Sequence, residues 1–246
     1  SRVFSVLDYS VEGKKDNTQF DLAVKKTLEL ITFSKDNVAI PIAVFKPSGF
    51  GRFKIYNKIS EGKNLTASET EEWLRIKERF NLVCGFGKSN NIKILIDAEE
   101  SWIQSAVDDL ILEMMQLYNK ESVVVYNTLQ TYRWDRLNYL KQIHLESKKS
   151  NFKLGIKVVR GAYMEKERLR ASELGYKSPI CESKELTDTL FNDTLKFILE
   201  NLNHIQPFIG THNEESTALA VSLMDLNNIS KNDNRVWFGQ LYGMSD

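Results

Sequence analysis

Short apolar runs rich in β-branched residues alternate along the chain with longer stretches whose apolar positions recur every three or four residues. The runs are 3–9, 39–45, 92–96, 122–126, 153–159, 207–210 and 235–241. They are mostly continuous rather than alternating, which suits parallel strands covered on both faces. Between them the spacing predicts helices. Thr66 and Glu69 form a capping box ahead of Trp73, Ile76, Phe80 and Val83. Ser101 and Gln104 form another, opening a helix with Val107, Leu110, Ile111, Met114 and Tyr118 on one face. Leu186, Leu190, Phe191, Leu195, Ile198 and Leu202 make a third stripe.

Strand–helix alternation of this kind means an α/β fold, either a (β/α)8 barrel or a doubly wound sheet. No G-x-G-x-x-G follows any of the runs, which disfavours a dinucleotide-binding Rossmann unit. No Pro/Gly/Ser-rich linker or repeat divides residues 1–246, so one domain is expected. Seven strands are one fewer than a closed barrel needs, and the chain stops just after the seventh.

Composition narrows the function classes. The hydrophobic fraction of 42% and the charged fraction of 27% are those of an ordinary globular protein. Acids and bases cancel at 33 each, so nothing argues for nucleic acid. The longest apolar runs fall well short of the ~20 residues of a membrane span. The N-terminus enters a strand-like stretch directly, so no signal or transit peptide is expected within these residues, and trimming of one from the native protein stays open. Cys84 and Cys181 lie far apart and fit neither a disulfide framework nor a zinc site, which suits a reducing compartment. His144, His204 and His212 fall in separate elements, so no metal centre is expected.

The ends of the strands carry the chemistry. The second run delivers Lys46, the third Asp97, the fourth Asn127 and Gln130, the fifth Arg160 and Tyr163, and the sixth Thr211, His212 and Asn213. Barrel active sites are built at these C-terminal ends. Lys46, Lys157 and Arg160, with Lys184 as a further cation, suit a phosphate-bearing cofactor or a carboxylate substrate. Lys157 lies between Ile156 and Val158, where a lysine is expensive unless it faces a pocket. Asp97 also has a simpler reading, as an acid favouring the start of the next helix. His212 and Asn213 could be an ordinary helix-start pair.

Eight motifs in order resemble the proline dehydrogenase family, and they look more like its stand-alone and eukaryotic-type members. They lie at 7–13 (LDYSVEG), 44–49 (VFKPSG), 96–101 (IDAEES), 126–130 (YNTLQ), 157–168 (KVVRGAYMEKER), 175–180 (GYKSPI), 211–216 (THNEES) and 238–246 (FGQLYGMSD). The resemblance implies a distorted (βα)8 barrel that holds FAD without a covalent bond. It implies oxidation of L-proline to pyrroline-5-carboxylate, with hydride passing to the flavin N5 and electrons to a membrane quinone. Asp97 and Lys157 would be the catalytic residues, Asp97 organising the substrate pocket and Lys157 standing near N5, where the family often has arginine. Lys46 would meet the proline carboxylate and Tyr163 would pack on its ring. Ala98 and Gln130 would contact the flavin, Gln130 at its pyrimidine edge. Arg160, Gly161 and Ala162 would line the isoalloxazine and phosphates. Thr211, His212 and Asn213 would meet the ribityl–pyrophosphate region, with Lys184 nearby. Peripheral membrane contact is implied, at the cytoplasmic face of a bacterial membrane or at the mitochondrial inner membrane.

The family continues into an eighth strand and a last helix whose paired arginines grip the substrate carboxylate, and this sequence ends at Asp246, before that point. Two alternatives stay open: a non-catalytic flavin-binding barrel, and a dehydrogenase specific for hydroxyproline.

Overall fold

The computed structural model describes residues 3–8 and 16–244, and its backbone divides into two compact units, Ser1–Asn127 and Thr128–Asp246. Strand and helix alternate through both, with parallel strand pairs and eight α-helices among the described residues: an α/β fold.

The first unit contains β1 (Leu7–Asp8), α1 (Asn17–Lys35), β2 (Ile42–Phe45), a 3₁₀ turn (Pro47–Gly49), α2 (Phe53–Ser60), α3 (Ala67–Asn90), β3 (Lys93–Ile96), α4 (Ser101–Tyr118) and the first half of β4 (Val125–Gln130). Strands β1 to β4 pair in chain order, and the register sets Phe45 opposite Ile96 and Ile96 opposite Asn127. Every residue of β2 is buried, as its unbroken apolar run requires. Beneath the turn after β2, the rings of Phe45 and Phe50 stack at 4.2 Å and Phe80 of α3 meets Phe45 edge-on at 5.1 Å. Helix α3 begins with the expected box: Thr66 accepts from the Glu69 N–H, and Glu69 accepts from the Thr66 N–H. Such a cap is worth about 1 kcal/mol.

The second unit holds the end of β4, then α5 (Arg136–Lys149), β5 (Leu154–Val159), α6 (Met164–Leu174), α7 (Lys184–Glu200), β6 (Ile205–Gly210), α8 (Glu214–Leu226) and β7 (Trp237–Gly239). Strands β5, β6 and β7 are parallel neighbours, and Thr131 N–H donates to Val159 O where β4 ends. Phe191, Leu195 and Ile198 of α7 are fully buried, as are Ile156, Val158 and Ile209.

Three expectations are corrected. The fourth strand runs from Val125 to Gln130 rather than over 122–126. The buried Asn119 side chain accepts from the Val124 and Val125 N–H groups and donates to Val125 O, so a side-chain-held turn occupies the start of the apolar run. Asn127 and Gln130 are therefore strand residues. Helix α4 has Glu100 as its cap, without a side-chain bond, and Ser101 is already helical. Gln104 is turned inward instead, donating to Asp108, which also accepts from Asn127. Leu186 is 51% exposed, so the stripe on α7 starts one turn later. Tyr9 of the first run, 9–13 of the opening motif and 245–246 of the last lie outside the described residues.

Candidate functional site

In the first unit, two parallel strands end side by side. Phe45 closes β2 opposite Ile96 of β3, and Asp97 N–H donates to Phe45 O at 3.0 Å. Lys46 and Asp97 follow directly, both half-buried, and Ala98 is buried behind them. The turn after Lys46 is closed by Gly49 N–H to Lys46 O at 3.0 Å, and Tyr56 of α2 donates its hydroxyl to Pro47 O at 2.8 Å. Glu99 secures this turn from the β3 side. Ser48 N–H donates to one of its oxygens at 2.8 Å, and Ser48 Oγ lies 2.5 Å from the other. Burial pushes the Glu99 carboxyl up to about 7; the Ser48 bonds and Lys46 work against that shift, and Glu100 adds to it.

In the second unit, β5, β6 and the end of β4 carry the polar groups. Lys157 and Val159 are the half-buried positions of β5, on one face, while Ile156 and Val158 are buried on the other. Arg160 follows, half-buried, and its guanidinium is bonded to protein groups through all three nitrogens. Nε donates to Asp188 at 2.7 Å, Nη1 to Thr211 at 2.8 Å and Nη2 to Ser216 at 3.0 Å, while the plane lies 4.5 Å over the Phe191 ring. Lys184 opens α7 and donates to the other Asp188 oxygen at 2.6 Å. Burial pushes the Asp188 carboxyl up, but the bonds from Lys184 and Arg160 outweigh it and hold it below the usual range.

Beyond Arg160 the backbone turns outward. Gly161 sits at φ 141°, a conformation that L side chains rarely adopt, and it is exposed with Ala162. Ala162 N–H donates to the buried Gln130 carboxamide oxygen at 3.3 Å. Tyr163 is half-buried at the start of α6, with the Lys166 ammonium 5.4 Å from its ring. At the end of β6, Thr211 Oγ1 accepts from Asn213 N–H, and Asn213 caps α8 by accepting from Ser216 N–H at 2.8 Å. The side chain of Asn213 therefore has the helix-start role that the sequence left open. His212 Nε2 accepts from Leu241 N–H at 3.1 Å. In the neutral ring the proton then sits on Nδ1, which is buried and without a protein partner.

A dinucleotide such as FAD needs neutral donors, exposed backbone and cations near its phosphates. The second unit offers these: the orphan Nδ1 of His212, the exposed Gly161–Ala162 backbone held by Gln130, and Lys184 at the start of α7. These residues fit such a group. Arg160 fits it through its main chain, since its side chain is already engaged. Among the described residues, no group of three or more His, Cys, Asp or Glu is arranged to hold a metal ion.

Four residues escaped sequence reasoning: Glu99, Ser48, Asp188 and Tyr132, whose buried ring underlies Gly161. Glu99 and Ser48 each sit inside a recognised motif, but the pair is 51 residues apart and leaves no local signal.

Comparison with known proteins places the chain in a family. A family model described as proline dehydrogenase matches residues 1–246. The chain belongs to the proline dehydrogenase family. It is 39% identical over its whole length to the carbapenem antibiotics biosynthesis protein CarD of Pectobacterium carotovorum subsp. carotovorum, of which it covers 63%. It is 36% identical over 201 residues, 80% of its length, to the mitochondrial proline dehydrogenase 2 of Arabidopsis thaliana, of which it covers 42%. The chain thus spans less than two thirds of these relatives. The fold is shared with proline utilization A of Bdellovibrio bacteriovorus inactivated by N-propargylglycine, at a TM-score of 0.83 and 20% identity, covering 98% of this chain and 26% of that one.

Proposed function

We propose that this chain is the flavin-binding domain of a proline dehydrogenase, a single distorted (βα)8 barrel that oxidises L-proline to pyrroline-5-carboxylate. The observation that carries the reading is that, within each unit, polar groups follow the C-terminal ends of parallel strands, in a chain whose family model spans all of it. FAD, bound without a covalent link, would supply the two-electron acceptor for hydride from the carbon beside the ring nitrogen.

The residues of the chain do the rest. Lys46 would hold the substrate carboxylate by its charge, and Asp97, fixed through its N–H to Phe45 O, would order the pocket beside it. Tyr163 would pack on the proline ring. Lys157 would place a positive charge where negative charge develops. Gln130, Gly161, Ala162, His212 and Lys184 would hold the cofactor, with Ala98, Arg160, Thr211 and Asn213 shaping its surroundings. Electrons would pass to a membrane quinone. Among the described residues no helix is long and apolar enough to cross a membrane. We place the protein at a membrane face, cytoplasmic in a bacterium or on the mitochondrial inner membrane in a eukaryote.

The test is direct. The purified full-length protein should be yellow, release FAD on denaturation, and bleach anaerobically when L-proline is added. A colourless protein that takes up no flavin on reconstitution would sink the assignment.

A further inference from the structure

A carboxylate is costly to bury, and Glu99 is only 2% exposed. Each of its oxygens meets Ser48, at 2.8 Å for the N–H and 2.5 Å for the hydroxyl. Ser48 stands in the middle of the turn Pro47–Gly49, and the residue that opens this turn is Lys46. The same carboxylate lies two positions after Asp97, whose own N–H ties β3 to the last residue of β2. The Glu99–Ser48 bond therefore fastens the turn that begins with Lys46, the expected carboxylate ligand, to the loop that begins with Asp97, the expected organiser of the pocket. Glu99 also acts on Lys46 through its charge, since Lys46 is among the groups that favour its ionised form.

We propose that Glu99 is a positioning residue that sets, through Ser48, where Lys46 stands, and that competes with the substrate carboxylate for the Lys46 ammonium group. The inference rests on the reading of Lys46 as the carboxylate ligand. Glu99 has two ways to satisfy Ser48. As the acid, one oxygen accepts from the N–H while the protonated oxygen donates to Oγ; when ionised, both oxygens accept. The turn is held in either state, but only the ionised state draws on Lys46.

Burial raises the carboxyl to about 7, so both states are populated near neutrality. Among the described residues, its charged or titratable neighbours include Lys46 at the end of β2, Glu100 beside it in the loop, and the buried Tyr56 phenol of α2, which itself faces Arg79 and Glu72 of α3. The sign follows. As pH rises through the Glu99 transition, Lys46 becomes shared, and binding of a carboxylate ligand weakens.

The probe is cyclopentanecarboxylate, which has the ring and carboxylate of proline but no amine to titrate. Its inhibition constant against proline oxidation would be measured with the flavin-loaded protein. In the wild type the constant should rise about tenfold from roughly pH 6 to pH 8. Glu99→Gln reproduces the acid form, its carbonyl accepting from Ser48 N–H and its amide donating to Ser48 Oγ. This variant should keep the low-pH constant throughout, with kcat within about twofold of wild type. Ser48→Ala loosens the turn and should raise KM for proline several-fold at every pH, with kcat changed less.

A Glu99→Gln protein that titrates like the wild type would overturn the inference, and so would a wild-type constant that stays flat while proline is still oxidised. In both cases the proposed activity stands. A flavin-loaded wild type that neither oxidises proline nor binds the probe removes that activity, and the positioning role falls with it.

Discussion

Arg160 illustrates how a residue's type can be read from sequence while its use cannot. Its position after an apolar strand marks it as a rim cation, yet its guanidinium is spent on Asp188, Thr211, Ser216 and the Phe191 ring. What it leaves for a ligand is the shape of the backbone that follows. Gly161 can take φ 141° only because it lacks a Cβ, and a Cβ there would stand 2.6 Å from atoms of the Tyr132 ring. Gly161→Ala should cost on the order of 1–3 kcal/mol and lower the flavin retained per protein, measured by thermal melting and by absorbance after gel filtration. Full flavin content with an unchanged melt would mean that this turn does not shape the cofactor site. Lys157 offers a second prediction. Lys157→Met keeps the length and removes the charge, so the flavin potential should become more negative and reduction by proline slower, with FAD affinity less affected. Spectroelectrochemistry and anaerobic stopped-flow check it, and an unchanged potential would place Lys157 away from the flavin ring.

At the scale of elements, one local cap signal succeeded and the other, at Ser101 and Gln104, failed because Gln104 turns inward to Asp108. The box at Thr66 and Glu69 joins residues three apart, and the structure forms it as expected. The parallel strands were legible because burial on both faces demands unbroken apolar runs. The start of β4 was not, because the residue that sets it is a polar one on the preceding helix end. Asn119 is fully buried and makes three backbone bonds to Val124 and Val125. Asn119→Ala would leave two N–H groups and one carbonyl unpaired, so stability should fall by about 3 kcal/mol in denaturant unfolding. A loss under about 0.5 kcal/mol, the level of an ordinary surface change, would show that water or a local shift replaces those bonds.

At the scale of the whole molecule, stability against acid depends on groups that the fold makes neighbours. His144 of α5 is 4% exposed, its ring 5.4 Å from Phe197 of α7 and 5.9 Å from His204. Burial lowers its pKa, and Lys148 and His204 push the same way. The folded state therefore binds this proton less readily than the unfolded chain. The contribution of the neutral ring is complete above the unfolded pKa of about 6.5 and is lost as pH falls from there towards the folded value. His144→Leu should flatten the fall in melting temperature over that window while changing little near pH 8, roughly 1.5 units above it. Equal slopes for the two proteins would assign the acid sensitivity to other groups.

The sequence by itself determined the alternation of strand and helix, the cap at Thr66, the cations and acids delivered to strand ends, and the family. Each of these is written in spacings of a few residues or in a motif read in order. Tertiary structure alone decided which of those polar groups are held by partners far away in the chain. Arg160 is joined to partners 28, 51 and 56 positions away, and Glu99 to one 51 positions away. No periodicity links such residues. Only the packing of parallel strands, which lays Lys46 beside Asp97 and Glu99 against Ser48, turns a list of polar residues into a site with a defined charge.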